Sequence, residues 1–219
     1  MVDDQGDEAW ARQSVIDTAL ELERTGLSPQ QSGNVSMRFG GDILITPTGM
    51  NYQDLLPDDI VLLSLDGHVL DGERAPSSEW HMHAAIYEAR PEAQAIVHAH
   101  SDHAVSLAVM RRRIPPFHYM VALLGGVDIR CADYATFGTA ELGRHAVAAL
   151  KDRKACLLAH HGQIAFGHDL AEALKLAHEV EVLAGQYWRA LQIGEPELLS
   201  DAEMAINVAK FHAYGQTRH

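Results

Sequence analysis

Cysteine is scarce in this chain of 219 residues: Cys131 and Cys156 are the two present, too few for a disulfide framework and not spaced as a CxxC pair. Both are expected to be reduced, buried thiols rather than nucleophiles. Basic residues are also few. Seventeen Lys and Arg stand against 30 Asp and Glu, a formal net charge of −13, which excludes an unfocused electrostatic grip on nucleic acid or anionic lipid. An anionic ligand must then be held by local donors or by a metal. Long apolar runs are missing too, none approaching the ~20 residues of a membrane span. The opening MVDDQGDEAW has neither the basic start nor the apolar core of a signal peptide, so a cytoplasmic protein with no nucleic-acid and no membrane partner is expected. Internal repeats and low-complexity linkers are absent as well, and 47% apolar content suffices for one sizeable core, which predicts one domain over residues 1–219.

What is present falls into an order. Residues 8–24, EAWARQSVIDTALELER, space apolar groups at helical intervals and stop before Gly26, predicting an N-terminal helix. Residues 34–70 turn into short β-rich runs, NVSMRF, DILITP and DIVLLSL, separated by GG, TPTG, PDD and DG. Helical and strand patterns then alternate: SSEWHMHAAIYEAR, AQAIVHAH, SDHAVSLAVMRRR, GGVDIRCADYA, TAELGRHAVAALKD, ACLLAHHGQIAF, DLAEALKLAHEVEVLAGQYWRALQ and SDAEMAINVAKFHAYG. This predicts an α/β fold, a mixed sheet covered by helices on both faces.

AIVHAHSDHAV (95–105) carries three histidines within six positions, directly after an apolar run. On a strand, His98 and His100 point to the same side about 7 Å apart, a spacing that suits two imidazoles on one metal and equally suits two core residues. In CLLAHHGQ an apolar strand runs into His160-His161-Gly162; adjacent strand residues face opposite sides, so one of the two histidines is expected to coordinate. Glu79 in PSSEWHMH sits at the expected first turn of a helix, with Ser77 or Ser78 as its cap. His81 and His83 on that helix are about 200° apart and are not expected to form a second pair. SGNVS, TPTGM and PSSEW each place a glycine or a helix start beside small hydroxyl or amide side chains, segments able to cradle a phosphate without Lys or Arg.

GNVSMR, LITPTGM, PSSEWHMHAAIYEARPEAQAIVHAH, IPPFHYM, CADYATFGT, HHG, LAHEVEVLA and the tail KFHAYG follow one another as in class II aldolases of the L-fuculose-1-phosphate aldolase type, and from about residue 8 to residue 215 the chain resembles that family. The resemblance implies a three-layer α/β/α fold with a central mixed, largely antiparallel sheet. It implies a zinc ion on His98, His100 and His161, with Glu79 as fourth ligand at rest and general acid/base in turnover. It implies phosphate and ketone-end donors at Gly33, Asn34, Thr48, Gly49, Ser77 and Ser78, an acid for the aldehyde oxygen at Tyr119, and walls of the aldehyde end at Phe137 and Tyr214. It also implies a homotetramer with active sites at subunit interfaces, completed by a C-terminal tail of about 207–219. Ala99, Ala159 and Phe166 depart from the family pattern around the ligands, at places where the preference for the aldehyde can shift.

The implied reaction is reversible cleavage of L-fuculose 1-phosphate, or a related ketose 1-phosphate, to dihydroxyacetone phosphate and L-lactaldehyde. Breaking that carbon–carbon bond leaves an enediolate too basic to release into water, for which a Lewis-acidic zinc is one remedy. A methylthioribulose-1-phosphate dehydratase or a pentulose-phosphate 4-epimerase would keep fold and metal but change the reaction. An adducin-like, non-enzymatic module would keep the fold without the histidine ligands.

Overall fold

The computed structural model describes residues 4–213, and its first element is helix α1 (Asp4–Arg24). Ala11, Val15, Ile16, Ala19 and Leu22 form the buried stripe of α1, a helical spacing of apolar side chains. The helix ends at Gly26, whose φ of +74° is a conformation that side chains other than glycine rarely adopt. Two antiparallel strands follow, β1 (Asn34–Phe39) and β2 (Asp42–Ile45), joined by Gly40-Gly41 in a two-residue turn. Then come β3 (Val61–Leu63), β4 (Val69–Asp71), α2 (Trp80–Ala89), β5 (Ala95–Ala99) and α3 (Asp102–Val109). The chain continues through β6 (Cys131–Ala132), α4 (Ala140–Ala149), β7 (Ala155–Leu158), β8 (Gly162–Gly167), α5 (Leu170–Ile193) and α6 (Asp201–Ala213).

The eight strands form one sheet in the order β4-β3-β2-β1-β5-β8-β7-β6. Every neighbouring pair is antiparallel except β6 with β7, so the sheet is mixed and largely antiparallel, as expected. Side chains alternate across it and build a core on each face. On β5, Ala95, Val97 and Ala99 join the cluster that includes residues of α1, α3 and α5. Ile96 instead joins Met82 and Ile86 of α2 and Leu142 and Ala146 of α4. By the same alternation His98 on β5, and Asn34 and Ser36 on β1, lie on the α2 face. The register sets Asn34 directly opposite His98.

Helix caps fix the entry of the covering helices. The Thr139 hydroxyl accepts from Leu142 N–H at the start of α4, and the Asp169 carboxylate accepts from Glu172 N–H at the start of α5. Ser200 and Glu203 form a reciprocal capping box at the start of α6, at the spacing the sequence shows. Val208 and Phe211 pack α6 on the core, while Ile206 is 58% exposed. None of the described helices is long and apolar enough to cross a membrane.

Two elements differ from the sequence expectation. GGVDIRCADYA, read as a full strand, forms only the two-residue β6, which is the edge of the sheet and pairs with β7 alone. Helix α2 begins at Trp80, after Glu79 as the N-cap in place of the expected Ser77 or Ser78, and the Glu79 side chain makes no cap bond. The Ser77 hydroxyl instead accepts from Glu79 N–H at 3.3 Å, and the Glu79 side chain leaves its helix for the sheet.

Candidate metal centre and active site

Three short segments at one end of the sheet bring the chemistry together. His98 is wholly buried near the end of β5, and its Nδ1–H donates to the Gln163 carbonyl on β8 at 2.8 Å. That bond fixes the ring and turns Nε2 toward the cluster. His100 follows the last residue of β5, and its backbone N–H donates to Leu27 O at 3.1 Å. Between β7 and β8 the chain turns through His160, whose φ of +56° is a left-handed conformation costly for a residue with a side chain. The turn sends His161 inward and His160 outward. Gly162 closes it against β5: a Cβ there would lie 2.4 Å from Ala99 O and 2.9 Å from His100 Cδ2, so only glycine fits.

Glu79, His98, His100 and His161 converge from these segments, their ligand atoms all within 4.8 Å of one another. Among the described residues no other group of three or more His, Cys, Asp and Glu is so placed. The three imidazole centroids form a nearly equilateral triangle with sides of 4.7, 4.8 and 4.8 Å. His98 Nε2 lies 2.8 Å from His100 Nε2 and 3.1 Å from Glu79 Oε2, and His161 Nε2 lies 3.2 Å from Glu79 Oε1. A tetrahedral shell with metal–nitrogen bonds of about 2.0–2.1 Å would set its ligand atoms about 3.3 Å apart, close to the observed spacing. Glu79 Oε1 is buried with no hydrogen-bond partner, which a cation would supply. The donor set therefore fits a metal ion.

The electrostatics agree for two of the three imidazoles; at His98 burial would lower the group, but the Glu79 carboxylate outweighs it and raises it. Burial, and then the neighbouring charge of His98, push His100 down to about 3 and His161 down to about 4, so both imidazoles are neutral at pH 7 and offer free lone pairs. Burial alone would raise the Glu79 carboxyl. The imidazoles of His98 and His161 and the Asn34 amide outweigh it and hold the group well below the usual carboxylate range. A raised value is what a carboxylate freed into a closed pocket would show; here its partners keep it ionised.

The cluster sits where two cavities meet. One, of about 290 Å³, is lined by Ser32, Gly33, Asn34, Thr48, Gly49, Ser77 and Ser78, with no Lys or Arg in its lining. The other, of about 350 Å³, is walled by Tyr134, Ala135, Phe137 and His160 and reaches His100 and His161. Glu79 and Ser78 line both. Of the residues singled out in the sequence, Asn34 has its amide engaged: Nδ2 donates to Glu79 Oε2 at 3.0 Å. Tyr119 lines neither cavity; its ring is about half exposed and stacks on Phe211 of α6, centroids 6.3 Å apart. Tyr214 lies outside the described residues.

The comparisons with known proteins decide the family. The family model described as Class II Aldolase and Adducin N-terminal domain matches residues 13–188. The chain belongs to that family. It is similar to 5-methylthioribulose-1-phosphate/5-deoxyribulose-1-phosphate aldolase of Rhodospirillum rubrum, 53% identical over 93% of this chain and 92% of that one. L-fuculose phosphate aldolase of Escherichia coli K12 is 50% identical over 94% of this chain and 95% of its own. Among solved structures, an L-fuculose 1-phosphate aldolase superposes with a TM-score of 0.89 at 40% identity, covering 92% of this chain and 96% of that chain.

As a member of the class II aldolase family the chain also shows what its sequence motifs concealed. His83, on α2, is fully buried and bonded to Asn34 and Ser36. The available signal was its four-residue spacing from Glu79, which puts both on one side of the helix start. His81 takes no part; it stacks on Trp80, centroids 3.7 Å apart. Tyr134 and His160 line the second cavity, the first beside a Phe137 already singled out. Neither cysteine is a nucleophile here: burial pushes the half-buried Cys131 thiol up to about 11 and the buried Cys156 thiol higher.

Proposed function

We propose that the chain is a zinc-dependent aldolase that reversibly cleaves ketose 1-phosphates to dihydroxyacetone phosphate and a short aldehyde. The observation that carries this reading is the convergence of His98, His100, His161 and Glu79 at the junction of a cavity of neutral donors and a cavity with aromatic walls. Zinc held by these four side chains supplies a Lewis acid that offsets the negative charge developing at the ketone end. Glu79 exchanges a proton at the carbon beside the ketone. Thr48, Gly49, Ser77 and Ser78 hold the phosphate with backbone N–H and hydroxyl groups, as a chain of charge −13 requires, while the N–H of Gly33, expected among these donors, is committed to Ser28 Oγ at 2.7 Å. Asn34 orients Glu79 from the same cavity.

L-Fuculose 1-phosphate, 5-deoxyribulose 1-phosphate and 5-methylthioribulose 1-phosphate share a dihydroxyacetone phosphate half and a terminal methyl group. Phe137, Tyr134 and Ala135 offer that methyl end an apolar wall, so the substrate class is the ketose 1-phosphate lacking a terminal hydroxyl. Tyr119 stands apart from both cavities on an exposed face, which supports a homotetramer in which Tyr119 and Tyr214 of one copy complete the aldehyde end of another.

Zinc-loaded protein incubated with these three phosphates should release dihydroxyacetone phosphate from at least one of them, and far more slowly from the unphosphorylated sugars. A dehydratase would lose water and keep the carbon skeleton whole, and an epimerase would invert one centre. No dihydroxyacetone phosphate from any of the three would overturn the reading.

A further inference from the structure

On the far side of Glu79 from the imidazoles, a row of buried polar groups runs between β1 and α2. Asn34 and Ser36 are two apart on the strand, and His83 and Tyr87 four apart on the helix, separations of about 6–7 Å that bring the pairs into step. His83 and Ser36 are wholly buried and Tyr87 is 1% exposed. Asn34 Nδ2 reaches Glu79 Oε2 at 3.0 Å, and Asn34 Oδ1 lies 2.6 Å from His83 Nε2. His83 Nδ1 lies 2.7 Å from Ser36 Oγ, which lies 2.9 Å from the Tyr87 hydroxyl.

The direction of every bond follows from its Glu79 end. The Asn34 amide donates through Nδ2 to Glu79 Oε2, which leaves its carbonyl Oδ1 facing His83. A carbonyl only accepts, so His83 carries its proton on Nε2. Burial, and then the charge of His98, push His83 down to about 3, so the ring is neutral and Nδ1 accepts from the Ser36 hydroxyl. Ser36 Oγ in turn accepts from the Tyr87 hydroxyl. Such a chain polarises each bond in the same sense and ends on the carboxylate.

We infer that His83 is a positioning residue: its Nε2–H holds the Asn34 carbonyl in place, so that the amide anchors Glu79 by Oε2 and leaves Oε1 facing His161. Without that donor the buried Asn34 carbonyl has no partner, and the amide is free to swing away from Oε2. The inference rests on the proposed reading of Glu79 as the base. Nothing in the chain's geometry requires His83 to touch substrate or metal.

The test compares His83→Leu with His83→Gln in zinc-loaded protein, because the glutamine Nε2 can stand where the imidazole Nε2–H stands. Exchange of the dihydroxyacetone phosphate proton with deuterated solvent should fall about 10–100-fold in His83→Leu, with the Michaelis constant and zinc content little changed, and recover to within a few-fold of wild type in His83→Gln. Nitrogen-15 spectra should show the His83 proton on Nε2. Equal rates in the two variants, or a proton on Nδ1, would overturn the inference. If His83→Leu does not fold, His83→Gln against wild type and the tautomer still decide: exchange as slow as expected for His83→Leu, or Nδ1–H, refutes it. A wild-type protein that exchanges no proton would count against the aldolase reading instead, and the tautomer would then decide the positioning of Asn34 by itself.

Discussion

At the scale of single residues, Glu79 shows two opposed pulls on one carboxyl. Its burial favours the neutral form, and its imidazole and amide partners favour the charged one and win. A base held ionised in a dry site can accept a proton without first losing one to water. Glu79→Gln keeps the size and one oxygen but cannot take a proton. It should bind zinc while turnover falls by about 10²–10⁴-fold, the usual worth of a positioned general base, as measured by dihydroxyacetone phosphate release beside zinc content. Gly162 makes a second residue-scale case. An added Cβ would press on Ala99 O and His100, so Gly162→Ala should lower zinc affinity in a chelator competition at little cost to secondary structure by circular dichroism. His98 and His100 were legible as a same-face pair, because period-two alternation is local. Which residue of His160-His161 turns inward was not legible from strand geometry, since a left-handed turn at His160 replaces it at that point; only the family resemblance named His161. His83 was illegible for a different reason: its partners sit on β1, nearly fifty positions away, and a lone helical histidine carries no sign of them.

At the scale of elements, the sheet rests on short strands whose caps and edges are local, and on pairings that are not. The hairpin of β1 and β2 and the alternation of β5 and β8 could be read from the sequence. β6 could not, because two residues pair only where β7 offers an edge. The start of α5 is held by Glu172, which bonds Lys154 Nζ at 2.6 Å and the backbone N–H of His168 at 2.7 Å, so it ties the helix to the entry of β7. Partial burial would raise the Glu172 carboxyl, but Lys154 and His168 outweigh it and lower it from 4.5 to about 2. A group depressed in the folded state stabilises it above the unfolded value and loses that contribution as pH falls toward the folded value. Glu172→Gln should therefore melt below wild type at pH 7, and the gap in melting temperature should close as pH falls from 4.5 toward 2. A gap unchanged across that range would remove Glu172 from the acid response.

At the scale of the whole molecule, one copy of the chain carries the proposed metal ligands and the proposed phosphate cavity, while Tyr119 stacks on Phe211 of α6, away from both. The proposed assembly assigns the aldehyde end to a neighbouring copy. Removing residues 214–219 leaves α6 and its Phe211–Tyr119 stacking in place. It should spare zinc binding and the deuterium exchange of dihydroxyacetone phosphate, and slow carbon–carbon cleavage; unchanged cleavage would release Tyr214 from the account. All of this presumes that the imidazole cluster holds the catalytic metal. The most direct measurement strips the protein of metal with a chelator and follows cleavage of L-fuculose 1-phosphate and 5-methylthioribulose 1-phosphate as zinc is returned. The account predicts no cleavage in the stripped protein and recovery that rises with zinc and saturates at about one ion per chain. Full cleavage by the metal-free protein would contradict it.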